Sequence, residues 1–310
     1  MPYLFTHFRE KITDDGEQIY FSVSRDGYNW EELNSGKPIV TCSDGEKGCR
    51  DIEIVRLGDK GFVLVCTDLC IVHHMDENYN VDWDYINHNG SKSLSMWFSD
   101  DLIHFSEQRV TFMGREDLGC LWAPEVFYDE ENGEYLVHFS STTAEDGFSQ
   151  MSIFASRTKD FMSFTRPELF FKADSNILDS HIVKIGDTYH LFYKHANNPS
   201  GNMHAVSSSL SGPWKNDEKF HEIMQSLKSP GSYEAPTTLV LSDNKWCLML
   251  DFFGCEKDKM GYVPFISEGV GNSDFVMAKE KFSFPYGFKH GHAVEITEEE
   301  YLRLKKQYGC

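Results

Sequence analysis

The sequence predicts an all-β fold, a five-bladed β-propeller over residues 1–310 as a single domain, closed by its own N-terminal strands. Three observations lead there. First, a β-patterned hairpin recurs, headed by Asp51, Glu125, Asp179, Glu234 and His292 in RDIEIVRLGDKGFVLV, APEVFYDEENGEYLVHF, LDSHIVKIGDTYHLFYK, YEAPTTLVLSDNKWCLML and GHAVEITEEEYLRL. These residues lie 74, 54, 55 and 58 positions apart, strides that suit repeats of four strands each. Second, a further signature follows the hairpins. A small-residue strand ends in Ser or Thr, a polar turn follows, and an aromatic residue (Phe105, Phe164 or Trp214) opens an outer strand. Third, the two ends are complementary. The N-terminal segment YFSVSRDGYNWEE (20–32, with Trp30) carries the outer signature without a hairpin, and residues 291–305 carry a hairpin without the outer signature. Residues 3–33 then complete the last blade, which leaves no long strand edge unpaired.

Each hairpin reverses at a short turn rich in Gly, Asp or Asn: LGDKG (57–61), DEENG (129–133), IGDT (185–188) and LSDNK (241–245). TEEE (297–300) is the weakest of the set, and the tail YLRLKKQYG also reads as a short helix. Strand direction puts these turns at one end. The longer connections (34–49, 69–93, 110–121, 141–150, 195–202, 218–232 and 251–262) gather at the other, beside the marked residues. Asp26, Asp100 and Asp101 fall in outer turns and read as structural. Long loops collected on one face of a rigid scaffold are where a binding site is expected.

Composition supports a packed core, with 40% apolar and 14% aromatic residues. A formal charge of −20 argues against nucleic acid or an anionic membrane as partner, because both are bound chiefly through Lys and Arg. Eight cysteines show no CxxC or zinc spacing, and no apolar run reaches transmembrane length. A cytoplasmic protein with reduced thiols is the expectation.

Strands converging on an axis would bring four carboxylates and an imidazole into one funnel. Hydrolysis of a glycosidic bond needs an acid to protonate the leaving oxygen and a carboxylate across the sugar, set farther apart when it activates water than when it attacks. A third carboxylate nearby holds the acid protonated at neutral pH, because like charges crowded together resist ionising.

At these residues the chain resembles the family 43 glycoside hydrolases, five-bladed propeller enzymes that act with inversion on arabinofuranosides and xylosides. The likeness runs from VSRDGYNW through GHAVEI. It implies that Asp51 in GCRDIEIV is the general base, Asp179 in ILDSHIV the pKa-modulating carboxylate, and Glu234 in YEAPTTL the general acid. Two departures stand out: Ile52 where proline is common, and Glu125 in WAPEV (122–126) where the family usually has Asp. Glu125 is assigned to substrate binding. The resemblance gives His292 a place near the axis, where a central calcium or water cluster sits, and requires no other cofactor. HxH at 290–292 puts two imidazoles on one strand face, but with no third ligand zinc is not predicted. Trp122 reads either as a sugar-stacking ring or as core. Arg50 and His73 are further substrate-binding candidates, although the His73–His74 pair reads by default as solvated.

The function expected is an inverting exo-glycosidase releasing terminal α-L-arabinofuranose from a plant oligosaccharide, with β-D-xylosidase the near alternative. A glycoside phosphorylase would need Arg50, His73, His74 and Lys289 gathered around phosphate. A non-catalytic sugar-binding propeller would not need three separate carboxylates. Linkage, metal occupancy and oligomeric state are not written in the sequence.

Overall fold

The computed structural model describes residues 1–309 apart from 14, 59–60, 197–200, 228–229, 257–259 and 286. Strands β1 (Tyr3–Phe8), β2 (Tyr20–Ser24) and β3 (Trp30–Glu32) open the chain. A four-stranded antiparallel array follows, β4 (Cys49–Arg56), β5 (Phe62–Asp68), β6 (Ser93–Ser99) and β7 (Arg109–Phe112), with helix α1 (Trp83–Asn89) between β5 and β6. Next come β8 (Trp122–Asp129), β9 (Glu134–Ser141), β10 (Ser152–Thr158) and β11 (Glu168–Phe171), again paired in sequence order. The next array is β12 (Ile177–Ile185), β13 (Thr188–His195), β14 (Asn202–Ser207) and β15 (Lys215–Asn216). Helix α2 (Glu218–Ser226) leads into β16 (Ser232–Val240), β17 (Trp246–Phe253), β18 (Gly261–Ser267) and β19 (Val276–Met277). Strand β20 (Lys289–Glu295) and helix α3 (Glu298–Tyr308) end the chain.

β20 pairs antiparallel with β1, Leu4 opposite Val294 and Phe5 opposite Ala293, giving the order β3-β2-β1-β20. The N-terminal strands thus complete the C-terminal sheet, as the complementary ends of the sequence suggest. The expected hairpin over 291–305 is corrected: its second half is α3. Thr297 accepts from the Glu300 backbone while the Glu300 carboxylate accepts from the Thr297 backbone, a capping box that starts the helix where a reversal was expected. The position left beside β20 is filled by β1.

The first strands of the arrays are neighbours in turn: β4 beside β8, β8 beside β12, β12 beside β16, and β16 beside β20. β20 meets β4 through one parallel bridge, Gly291 to Ile52. Apolar faces between sheets form the core. Phe62, Leu64 and Cys66 of β5 pack with Leu4, Phe21 and Val23. The alternate residues Val63 and Val65 pack with Val137, Phe139 and Phe154 on the other side. Both faces of such a strand are buried, which explains its unbroken apolar run.

The Ser-turn signature has a direct physical basis. Ser24, Ser99 and Thr158 accept from the backbone N–H groups of Gly27, Leu102 and Phe161. Asp26, Asp101 and Asp160 each accept from two backbone N–H groups just beyond. Asp26 and Asp101 are therefore structural, as expected. The aromatic that follows does not always open a strand. Phe105 and Phe164 are wedged against the core clusters, and β7 and β11 begin four residues later. Connection 218–232 is not a plain loop, since Asp217 caps α2 there. The turn at 57–61 and the loops 195–202, 218–232 and 251–262 fall partly outside the described residues. No helix among the described residues is long and apolar enough to cross a membrane.

Candidate active site

The site begins with a break repeated in four strands. Register between first and second strands shifts between Arg50 and Glu53, Trp122 and Glu125, Leu178 and His181, and Glu234 and Thr237. One residue in each break is left-handed: Asp51 (φ 56°), Ala123 (49°), Asp179 (53°) and Ala235 (52°). Left-handed geometry in a residue bearing Cβ costs about 1–2 kcal/mol. Such a bulge re-aims side chains that a regular strand would send to opposite faces. Here Arg50 and Asp51 line one cavity, as do Leu178 and Asp179.

The result is two tiers. The upper tier lines a cavity of about 490 Å³ and brings Asp51, Asp179 and Glu234 together with Arg50, Trp122 and His290. Trp83 and Asn87 of α1, Phe253 of β17 and Lys194 of β13 complete its wall. The lower tier, two residues along each bulged strand, holds Glu53, Glu125, His181 and Thr237, with His292 of β20 beside them.

Asp51 is held on all sides. Thr67 Oγ1 donates to its Oδ2 at 2.8 Å, the Ala123 N–H reaches the same oxygen at 3.3 Å, and His290 Nδ1 lies 3.2 Å from Oδ1. His290 Nδ1 is also 3.9 Å from Asp179 Oδ1. Asp179 Oδ2 accepts from the Ala235 N–H at 3.2 Å, so one carboxylate shapes the bulge next to Glu234. Glu234 Oε2 takes a hydrogen bond from Lys194 Nζ at 2.6 Å.

Electrostatics separate the carboxylates. Burial works to raise the Asp51 pKa, but the His290 imidazolium and Arg50 outweigh it and hold this carboxyl below its ordinary value. Burial opposes charge on His290 as well, yet Asp51 and Asp179 together push it up to about 10. Burial lifts Asp179 to about 6, helped by the charge of Glu234 and opposed by His290. The upper tier therefore offers one firmly ionised carboxylate and one that holds its proton more readily.

In the lower tier, burial pushes Glu125 up to about 8 and His181 down to about 3. A protonated Glu125 then donates from Oε2 to His181 Nδ1 at 2.7 Å, and His181 Nε2 donates to Thr238 Oγ1 at 2.9 Å. His292 Nδ1 lies 2.8 Å from Glu53 Oε2. Ligand atoms of Glu125, His181 and His292 fall within 4.8 Å of one another. Calcium takes six to eight oxygen donors, whereas two of these three groups are imidazoles and both His181 nitrogens are engaged. The residues present do not form a calcium cage.

The sequence-predicted residues thus separate. Asp51, Asp179, Glu234, Trp122 and Arg50 share the cavity. Arg50 spends its guanidinium on Glu17 at 2.6 Å and Glu10 at 3.2 Å, so it braces the wall. Two substrate-binding candidates, Glu125 and His73, do not line this cavity. Glu125 lies beyond the bulge, on the buried lower tier. His73, in the short helical turn Ile71–His74, lines a different cavity of about 310 Å³ with Cys42 and Cys70. His290 and His292 do not converge as a metal pair; one serves each tier. Sequence reasoning missed the site roles of Lys194, Phe253 and His290. The signal for Lys194 was a charge ending the apolar run LFYK, and for Phe253 an aromatic just after the buried charge Asp251.

The family model related to glycosyl hydrolase family 43, described as "Probable glycosyl hydrolase domain", matches residues 1–302. A curated alpha-L-arabinofuranosidase of Bifidobacterium longum subsp. longum is 25% identical over 207 residues, covering 60% of this chain and 19% of its own length. The chain therefore spans about a fifth of that relative. Among solved structures, an endo-1,4-beta-xylanase of Bacteroides thetaiotaomicron superposes with TM-score 0.60 at 16% identity, covering 94% of this chain and 93% of its own. A xylan beta-1,4-xylosidase of Bacillus halodurans gives TM-score 0.59 at 14% identity, covering 96% and 55%.

Proposed function

The chain belongs to the glycosyl hydrolase family 43-related family, and from that premise we propose that it is an inverting exo-glycosidase releasing terminal α-L-arabinofuranose from an oligosaccharide. One observation carries the reading: Asp51, Asp179 and Glu234, from three different sheets, converge on a single cavity walled by Trp83 and Trp122. Asp51, ionised and hydrogen-bonded, activates a water that attacks the anomeric carbon. Glu234 gives a proton to the departing oxygen. Asp179, retaining its proton into the weakly acidic range, stabilises the bulge that aims Glu234 and limits the negative charge around it. No step is routed through a metal.

The scaffold is read as a five-bladed propeller over the whole chain. The successive neighbouring of β4, β8, β12, β16 and β20 supports this. So does the regular spacing of the left-handed residues, 56 positions from Ala123 to Asp179 and again to Ala235. The arabinose reading leans on the curated relative's name, and β-xylosidase stays the near alternative because the solved neighbours include a xylosidase. Phosphorolysis is disfavoured. Arg50 is paired with Glu17 and Lys289 with Asp251, so these two cations are neutralised apart from one another, and the His74 ring is engaged by Glu46. The seven described cysteines are unpaired, which supports a reducing compartment.

Nitrophenyl pentosides and hexosides assayed with the wild type identify the sugar, and an oligosaccharide of that sugar then compares the wild type with Glu234→Gln. Loss of acid catalysis is expected to lower kcat by about 10²–10⁴-fold on substrates with a sugar leaving group. Activity left intact by that change would remove Glu234 from the role of acid.

A further inference from the structure

We propose that Lys194 is a positioning residue that clamps Glu234 through Oε2, so that Oε1 is the atom delivering the proton; this rests on the glycosidase reading above. Lys194 stands near the end of β13, opposite Leu178 of β12. Its ammonium lies 2.6 Å from Glu234 Oε2 and 4.1 Å from the centre of the Phe253 ring. All three side chains line the cavity, yet Lys194 and Glu234 are only 16% and 19% exposed. The ring face and the carboxylate together fix where the ammonium sits.

Asp179 also feels the Lys194 charge, while the carboxylate facing Glu234 across the ladder has a cation of its own. Asp251 lies opposite Glu234 in the β16–β17 ladder, and Lys289 Nζ holds it at 2.6 Å. Lys289 is 5.8 Å from the same Phe253 ring. Two ammonium–carboxylate pairs thus share one aromatic residue, and each carboxylate has its own cation.

The consequence is chemical. An ammonium has three donors and no acceptor, so the oxygen it holds can only accept, and the proton that Glu234 takes up to act as the acid is received on the other. With Oε2 pinned, rotation of the carboxyl is suppressed and Oε1 is presented to the cavity. In the reaction the glycosidic C–O bond breaks, and its electron pair goes to the leaving oxygen. That oxygen takes the proton from Glu234 Oε1 as water forms the new C–O bond and gives its proton to Asp51.

Lys194→Met and wild type are compared on two substrates: a nitrophenyl arabinofuranoside, whose leaving group needs little protonation, and an arabino-oligosaccharide, whose leaving group is a sugar hydroxyl. The variant is expected to lose kcat by about 10²-fold on the oligosaccharide, far less on the aryl glycoside, with KM little changed on either. Lys194→Gln keeps a donor to Oε2 without the charge. It is expected to show the same selectivity with a smaller loss, and it carries the test if the Met variant does not fold. Equal losses on both substrates, or a loss confined to KM, would overturn the assignment. A wild type inactive on both would overturn the arabinose reading, and one inactive on the matching xylosides as well would overturn the glycosidase reading and this proposal with it.

Discussion

At the scale of residues, the fold gives three buried carboxyls and one half-buried one four different states. Asp51 is held ionised by His290, Asp179 is lifted to about 6, Glu234 is clamped by Lys194, and Glu125 is lifted to about 8. Burial is the leading cause of both upward shifts, and the sequence does not report burial. The side chain of Glu125 was legible as a member of a set, but not its tier. A stability prediction follows from its protonation. The folded value lies above the ordinary one, so the native state holds the extra proton. The stability this contributes is present in full below the unfolded value and is lost as pH rises through about 8. Glu125→Gln keeps a donor for His181 and cannot ionise. Between pH 5 and 8, thermal melts should show the wild type losing stability relative to this variant. Parallel curves for the two proteins would contradict a protonated Glu125.

At the scale of elements, the bulge is the device that makes the site, and it was only half visible. Marking Asp51, Glu125, Asp179, Glu234 and His292 as equivalents gave strides of 74, 54, 55 and 58. The left-handed residues Asp51, Ala123, Asp179 and Ala235 instead lie 72, 56 and 56 apart, and Gly291 stands another 56 on. The marked residues therefore sit at, before or after one structural position. The repeated Ala-Pro at 123–124 and 235–236 was the available clue to the true register. Side chains from the second strands, Lys194 and Phe253, could not be aimed without that register. Gly291 marks the place where β20 passes between β1 and β4. An added Cβ there would lie 1.8 Å from the Thr6 carbonyl oxygen, a backbone atom with no room to yield, and Tyr262 Oη already bonds both the N–H and the C=O of Gly291. Gly291→Ala is expected to cost about 3 kcal/mol, read as a lower midpoint in chemical denaturation; an unchanged midpoint would mean that this junction is not tight.

At the scale of the whole molecule, the pairing of β1 with β20 was foreseeable because each end of the sequence lacks what the other supplies. Helix α3 in place of a last hairpin was foreshadowed by the weak TEEE turn and by a tail, YLRLKKQYG, that also reads as a short helix, and the capping box of Thr297 and Glu300 decided it. Strand β20, paired with β1, brings His290 between Asp51 and Asp179, so the pairing of the two ends and the electrostatics of the site depend on one strand. The central claim is that Asp51 directs water to one face of the sugar while Glu234 protonates the other side. The most direct test is proton NMR of the first product released from a natural α-L-arabino-oligosaccharide, recorded before mutarotation. The account predicts β-L-arabinofuranose as the initial product, formed by the wild type and lost with Asp51→Asn. Initial release of the α anomer, or full activity of Asp51→Asn, would contradict it.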